Sequence, residues 1–169
     1  QAYRQPRHKQ CAFNLYAAAM LEHALPSIAL AFGDGANASA ARRLGRALRE
    51  ATIARYWSPT HRLFINNLPW LEADKEVRTC DRSLATAILF DQCPGGDVPE
   101  VVSMLAAAPP TMGESYPCNA GWRYWALARA GRVDVVLRAL RERWATMPSV
   151  LLNHTLQEDW QVQPDSGSQ

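Results

Sequence analysis

The stretch Asn119-Ala-Gly-Trp-Arg-Tyr-Trp125-Ala-Leu-Ala-Arg-Ala-Gly131-Arg-Val-Asp134 decides the fold. Up to Ala130 it is apolar and aromatic on nearly every helical face, with Trp122, Tyr124, Trp125 and Leu127 spread around the barrel of the helix. Such a helix demands burial on all sides. Gly131 stops it, since glycine tolerates the left-handed conformation that ends helices. The segment beyond reads differently. Val133, Val136, Leu137, Leu140 and Trp144 make one stripe, with Arg138, Arg141, Glu142 and Arg143 opposite, up to Pro148. That helix demands one buried face only. An inner helix, a one-glycine joint and an outer helix make a helical hairpin.

The same alternation recurs toward the N-terminus. Cys11 to Phe32 is apolar nearly all round, with a kink expected at Pro26, and stops at Gly33. Asn37 is the expected cap of an amphipathic helix running to about Tyr56, with Leu44, Leu48 and Ala51 as its apolar stripe. Asp81 to about Phe90 is again apolar throughout. It is followed by Asp97-Val-Pro-Glu100, read as a capping box, and a helix ending before Pro109-Pro110. Three inner–outer hairpins stacked side by side result, an all-α arc with no sheet expected beyond a short β pair near Val150 to His154. Inner-to-outer joints are short, whereas Trp57 to Cys80, Pro109 to Cys118 and the stretch from Pro148 onward are long. Long loops on one rim carry function more often than the elements they connect. These loops hold Trp70, Asn66, Asn67, Tyr116, His154, Glu158, Asp159 and Trp160.

Length and composition agree with one domain: 169 residues, 48% hydrophobic and 20% charged. The net charge of +2 supplies no strong field for a polyanion, and Arg or Asp interrupts every apolar run before membrane length. Neither a nucleic acid nor a membrane is therefore expected as partner. The chain opens on Gln1-Ala-Tyr-Arg, which reads as a processed or excised segment, and the arc's two uncovered apolar flanks lead us to expect more chain against them. Cys11, Cys80, Cys93 and Cys118 form no C-x-x-C pair, so no structural zinc site is expected. A helix between Cys80 and Cys93 separates them by roughly 20 Å, too far for a disulfide. Cys80 with Cys118 stays open, and free thiols are the better expectation.

Several local patterns admit two readings. Gly33-Asp-Gly35-Ala-Asn-Ala38 imitates a dinucleotide fingerprint, but a helical pattern precedes it where a strand is required, so it reads as a helix joint. Asn37-Ala-Ser39 and Asn153-His-Thr155 are glycosylation sequons that matter only in a secreted protein. Thr155-Leu-Gln-Glu158-Asp159-Trp160 sets two carboxylates beside an indole. That suits sugar chemistry, with one carboxylate as base on water and the indole against a pyranose face; the alternative is a solvated acidic loop. Asp81-Arg82 is either a dipole-stabilised helix start with an exposed arginine or a pair binding sugar hydroxyls or a uronate carboxylate. In Trp122-Arg123-Tyr124-Trp125, only Trp122 and Arg123 lie near enough to the helix start to reach the rim.

Asn119-Ala-Gly-Trp122-Arg-Tyr-Trp125…Gly131-Arg-Val-Asp134…Trp144-Ala-Thr-Met147, followed by Thr155…Glu158-Asp-Trp160, resembles the α-L-rhamnosidases of glycoside hydrolase family 78. Asp81-Arg-Ser-Leu-Ala-Thr-Ala87 and Phe13-Asn-Leu…Phe32-Gly33-Asp34 are similar to the neighbouring helices of that family. The resemblance implies an (α/α)6 toroid, of which residues 1–169 would be a C-terminal portion, about half, in three hairpins. It implies hydrolysis of terminal α-L-rhamnosyl residues from plant or microbial glycans with inversion, without cofactor or metal. Glu158 matches the family's general base in a Thr-x-x-Glu-x-Trp segment, although Gln157 stands where an aromatic is usual. The general acid belongs to an aspartate-rich motif N-terminal to everything here, so the chain would be incompetent alone. Trp70, Asp81, Arg82, Tyr116, Trp122, Arg123, His154 and Trp160 become the candidate substrate-binding residues, with Trp70, Asp81, Trp122 and Glu158 expected around one cavity. Partners implied are a rhamnose-containing oligosaccharide or polysaccharide and the rest of the catalytic domain, or a second chain, against the open flanks. The substrate class favours a secreted or periplasmic setting. Two further readings use the same residues: a lyase cleaving rhamnose from glucuronate by β-elimination, leaning on His154, Tyr116, Arg82 and Arg123, and a non-catalytic carbohydrate-binding or interaction module.

Overall fold

A computed structural model describes residues 6–160. Helix α1 (Gln10–Ala19) passes through a π turn at Met20–Ala24 into α2 (Leu25–Ala31). Pro26 causes the irregularity. It has no N–H to give the carbonyl four residues back, and its ring would strike that carbonyl. The ladder widens by one residue just upstream, with the Leu25 N–H donating to the Met20 carbonyl, so the expected kink is a π turn. The Ser27 hydroxyl returns a bond to the His23 carbonyl at 2.8 Å. Gly33, at φ +74°, turns the chain; its N–H donates to Leu30 and that of Asp34 to Ala29.

Helix α3 (Gly35–Tyr56) is capped by Asp34, whose carboxylate accepts the Asn37 N–H at 3.0 Å. Asp34, not the expected Asn37, is therefore the capping residue, and Asn37 donates to it. The buried stripe also differs from the expected one. Ala38, Ala41, Gly45, Thr52 and Tyr56 face inward, while Leu44 is 60% exposed, Leu48 half-buried and Ala51 exposed. Both stripes have helical spacing, and the close approach of α3 to α1 and α2 selects the one made mainly of small residues. At Gly45 a Cβ would lie 2.9 Å from both the Leu21 Cβ and the Glu22 backbone nitrogen. Arg49 seals the crossing with a 3.0 Å bond to Glu22. Gly45→Ala is expected to lower unfolding free energy by about 1–2 kcal/mol: overpacking of about 1–3 kcal/mol outweighs a helix-propensity gain of about 0.5–1 kcal/mol. Urea denaturation measures this, and a variant more stable than wild type would show that the helices move apart freely.

Beyond α3, strands β1 (Trp57–Ser58) and β2 (Leu63–Phe64) pair antiparallel, and α4 (Leu71–Asp74) follows a 3-10 turn at Leu68–Trp70. Strand β3 (Thr79–Cys80) leads straight into α5 (Asp81–Leu89), then α6 (Val98–Ala107). Strand β4 (Met112–Gly113) pairs in parallel with β3. Helix α7 (Pro117–Arg129) is followed by α8 (Val133–Ala139), which runs on through a π turn at Leu140–Trp144, and by α9 (Pro148–Asn153). The expected capping box before α6 does not form. Asp97 and Glu100 both accept from Arg62 instead, Glu100 at 2.7 Å. The β pair expected near Val150 to His154 is α9, because Pro148 presets a first helical turn and the Met147 carbonyl accepts from Val150 and Leu151.

The inner–outer order is observed. Helix α5 sits between α1 and α7, while α3, α6 and α8 back the three of them in turn. Every residue of α5 except Arg82 is buried. Its neighbours are less covered than their sequences demand: Phe13 and Tyr16 on α1 and Trp125 on α7 lie open, because each of those helices flanks the arc rather than sitting in its middle. The β3–β4 pair ties two of the long connections together at the N-terminal ends of α5 and α7, one common rim. All four cysteines are free. Among the described residues no helix is long and apolar enough to cross a membrane.

Candidate functional site

That rim opens into a cleft of about 1290 Å³ between α1, α7 and the loop that joins β4 to α7. Phe13, Tyr16, Arg82, Tyr116, Trp122 and Trp160 line it. Trp122 is fixed from several directions. Its indole N–H donates to Thr86 Oγ1 at 2.9 Å, and Tyr16 and Trp125 meet it edge-on at 5.8 and 5.5 Å between ring centres. A rigid aromatic floor of this kind presents a flat apolar face at low entropic cost.

Ser115 organises the polar side of the cleft. Its N–H and hydroxyl donate to the two oxygens of Asp81, at 2.7 and 2.9 Å. Its hydroxyl oxygen accepts from Arg82 Nε at 3.0 Å, and its carbonyl accepts the Trp160 indole N–H at 2.8 Å. Asp81 is only 2% exposed, and burial pushes its carboxyl above the ordinary range against the opposing pull of the Ser115 bonds. Trp160 is further clamped by the Arg143 guanidinium, 3.5 Å above its ring, and by Trp144 edge-on at 5.2 Å. Glu114, at the cleft's edge, is shared by Arg123 at 2.6 Å and Arg143 at 3.0 Å.

The structure thus brings Arg82, Tyr116, Trp122 and Trp160 to the cleft. The expectation that Trp70, Asp81, Trp122 and Glu158 surround one cavity is corrected: of these, Trp122 alone lines it. Trp70 packs near Tyr56 and His8, with Arg7 and Arg55 over its ring, because the 3-10 turn carries it toward α3. Asp81 turns inward to Ser115. Arg123 is buried, donating to Glu114 and to the Leu105 carbonyl at 3.1 Å. His154 is exposed and ends α9 in a left-handed conformation, φ +54°. Glu158 and Asp159 are exposed, and the Asp159 carbonyl accepts from buried Gln157 at 2.8 Å. Sequence reasoning missed Phe13, Tyr16, Thr86, Glu114 and Ser115. The three-residue spacing of Phe13 and Tyr16 was a usable signal, whereas nothing local marks Ser115. Among the described residues no group of three or more His, Cys, Asp or Glu could hold a metal ion.

No family model matches the chain. No curated protein matches it either. Among solved structures it is similar to the crystal structure of a GH78 family rhamnosidase of Bacillus sp. GL1, with 22% sequence identity and a TM-score of 0.65 over 83% of this chain. The match occupies 14% of that rhamnosidase's length. The likeness shows the fold: an all-α fragment of the GH78-like kind.

Proposed function

We propose that this chain is a portion of the catalytic domain of a glycoside hydrolase that removes terminal α-L-rhamnosyl residues with inversion. One observation carries the reading. The GH78-like fold presents, at the rim where its long loops meet, a cleft walled by Phe13, Tyr16, Tyr116, Trp122 and Trp160 with a guanidinium among them. Aromatic faces and a few fixed polar groups are what a pyranose needs for stacking and orientation. In the proposed reaction Glu158 takes a proton from water, the water oxygen attacks the anomeric carbon, and the glycosidic bond breaks as an acid outside this chain protonates the leaving oxygen. Glu158 stands exposed two residues before Trp160, on the segment that Trp160 pins to the cleft.

The placement of Tyr116 and Arg82 on the cleft supports a second reading, elimination. There a base removes the proton α to a carboxylate and the rhamnosyl oxygen departs from the β carbon, leaving a double bond. Products separate the two. The full-length protein, given rhamnosyl-glucuronate, should release rhamnose and a saturated uronate. An unsaturated, ultraviolet-absorbing uronate would establish elimination, and binding without any cleavage would leave a carbohydrate-binding module.

A further inference from the structure

We infer that Arg82 is a carboxylate-binding residue and that the cleft takes a glycan bearing a uronic acid, with Asp81 and Ser115 as positioning residues. The inference rests on the cleft being the sugar site proposed above.

The guanidinium is engaged on one side only. Its Nε donates to Ser115 Oγ, and among the described residues neither Nη group makes a hydrogen bond or an ion pair. The acid beside it in sequence makes no direct ion pair with it, because both Asp81 oxygens accept from Ser115. The other acid at the cleft is already matched, since Glu114 lies between Arg123 and Arg143. Arg82 therefore brings a guanidinium without a direct ion pair into a cleft that Phe13, Tyr16, Trp122 and Trp160 also line. A ligand that brings a carboxylate to the open Nη donors gains a charge-assisted contact that a neutral group does not. A carboxylate is the matching shape, because two parallel N–H donors of a guanidinium meet its two oxygens.

The arrangement also explains the buried side of the site. Ser115 accepts from Arg82 while donating its hydroxyl proton to Asp81, so the orientation of the hydroxyl is fixed from behind and Nε is held in turn. The remaining face of the fork is left for a ligand. A neutral sugar would use Trp122 and Tyr116 equally well and would forgo that charge-assisted contact.

The test is calorimetric titration of the full-length protein with S-linked rhamnosyl-glucuronate, whose thioglycoside bond resists hydrolysis, and with its methyl ester. Wild type should bind the acid about 10- to 100-fold more tightly than the ester, and salt at about 0.5 M should narrow the gap. Arg82→Gln, on a half-buried side chain, should bring the ratio to within about twofold with an unchanged circular dichroism melt; Ser115→Ala should reduce it partway. Equal binding of acid and ester by wild type overturns the carboxylate inference while leaving the sugar cleft intact. Binding of neither sugar overturns both. An undiminished preference in Arg82→Gln removes Arg82 from the role.

Discussion

Asp81→Ala is expected to destabilise the fold by about 2–4 kcal/mol, because alanine leaves the Ser115 N–H buried with no acceptor and removes the partner of the Ser115 hydroxyl as well. Asp81 carries no burden of contact with solvent: both oxygens serve Ser115, thirty-four positions along the chain. That pair joins the start of α5 to the loop before α7, and the Trp160 and Arg82 bonds to Ser115 depend on it in turn. The expected loss has a pH signature. Burial raises the folded-state carboxyl above its ordinary value, so the folded form holds its proton more tightly than the unfolded chain. The contribution of Asp81 is then complete below the ordinary carboxyl range and declines as pH rises through the folded value. The gap between wild type and Asp81→Ala should accordingly be wider near pH 4 than near pH 7, read by urea denaturation at each. Asp81→Asn, which keeps the size and one acceptor oxygen, should cost less. A variant as stable as wild type at both pH values would show that the rim is held elsewhere.

The alternation of helices was legible because it depends on composition around each helix. Ser83-Leu-Ala-Thr-Ala-Ile-Leu89 offers no charged face to water, and the structure buries all seven residues. Gly33 and Gly131 were legible for a related reason, as both occupy positive φ at hairpin joints. What the chain alone does not determine is which of two equally spaced faces a partner selects. Leu44 and Gly45 are neighbours on α3, and the approach of Glu22 and Leu21 turns the glycine inward and the leucine outward. The same limit governs the site. An acid at position 81 reads as a helix start or as a rim ligand, and the serine that settles its direction lies in a loop with no pattern of its own. Trp160 was readable as a rim aromatic because it closes an acidic segment, yet the Arg143 guanidinium stacked on it belongs to the outer face of a different helix. Glu158 shares that segment but not that anchoring.

Glu158→Gln, made in the full-length protein, is expected to lower turnover of a rhamnoside by about a hundredfold or more, the scale of losing a general base. The fold should be untouched, since the Glu158 side chain is exposed and makes no hydrogen bond or ion pair among the described residues. An amide of the same shape cannot take a proton from water, so sugar binding should persist while kcat falls. The geometry required is demanding: the base must stand about 6.5–9.5 Å from the acid with water between them. Trp160, two residues on, is held by Ser115, Arg143 and Trp144, which tethers the Glu158 segment to the cleft. Asp159→Asn is the internal control. Asp159 is also exposed, and the bond it accepts from Gln157 goes to its backbone carbonyl, so the substitution should change turnover by no more than about threefold, as expected away from the reacting atoms. With rhamnosyl-glucuronate as substrate, near-normal turnover in Glu158→Gln together with an inactive Tyr116→Phe and an unsaturated uronate as product would move the chemistry to elimination at the aromatic side of the cleft.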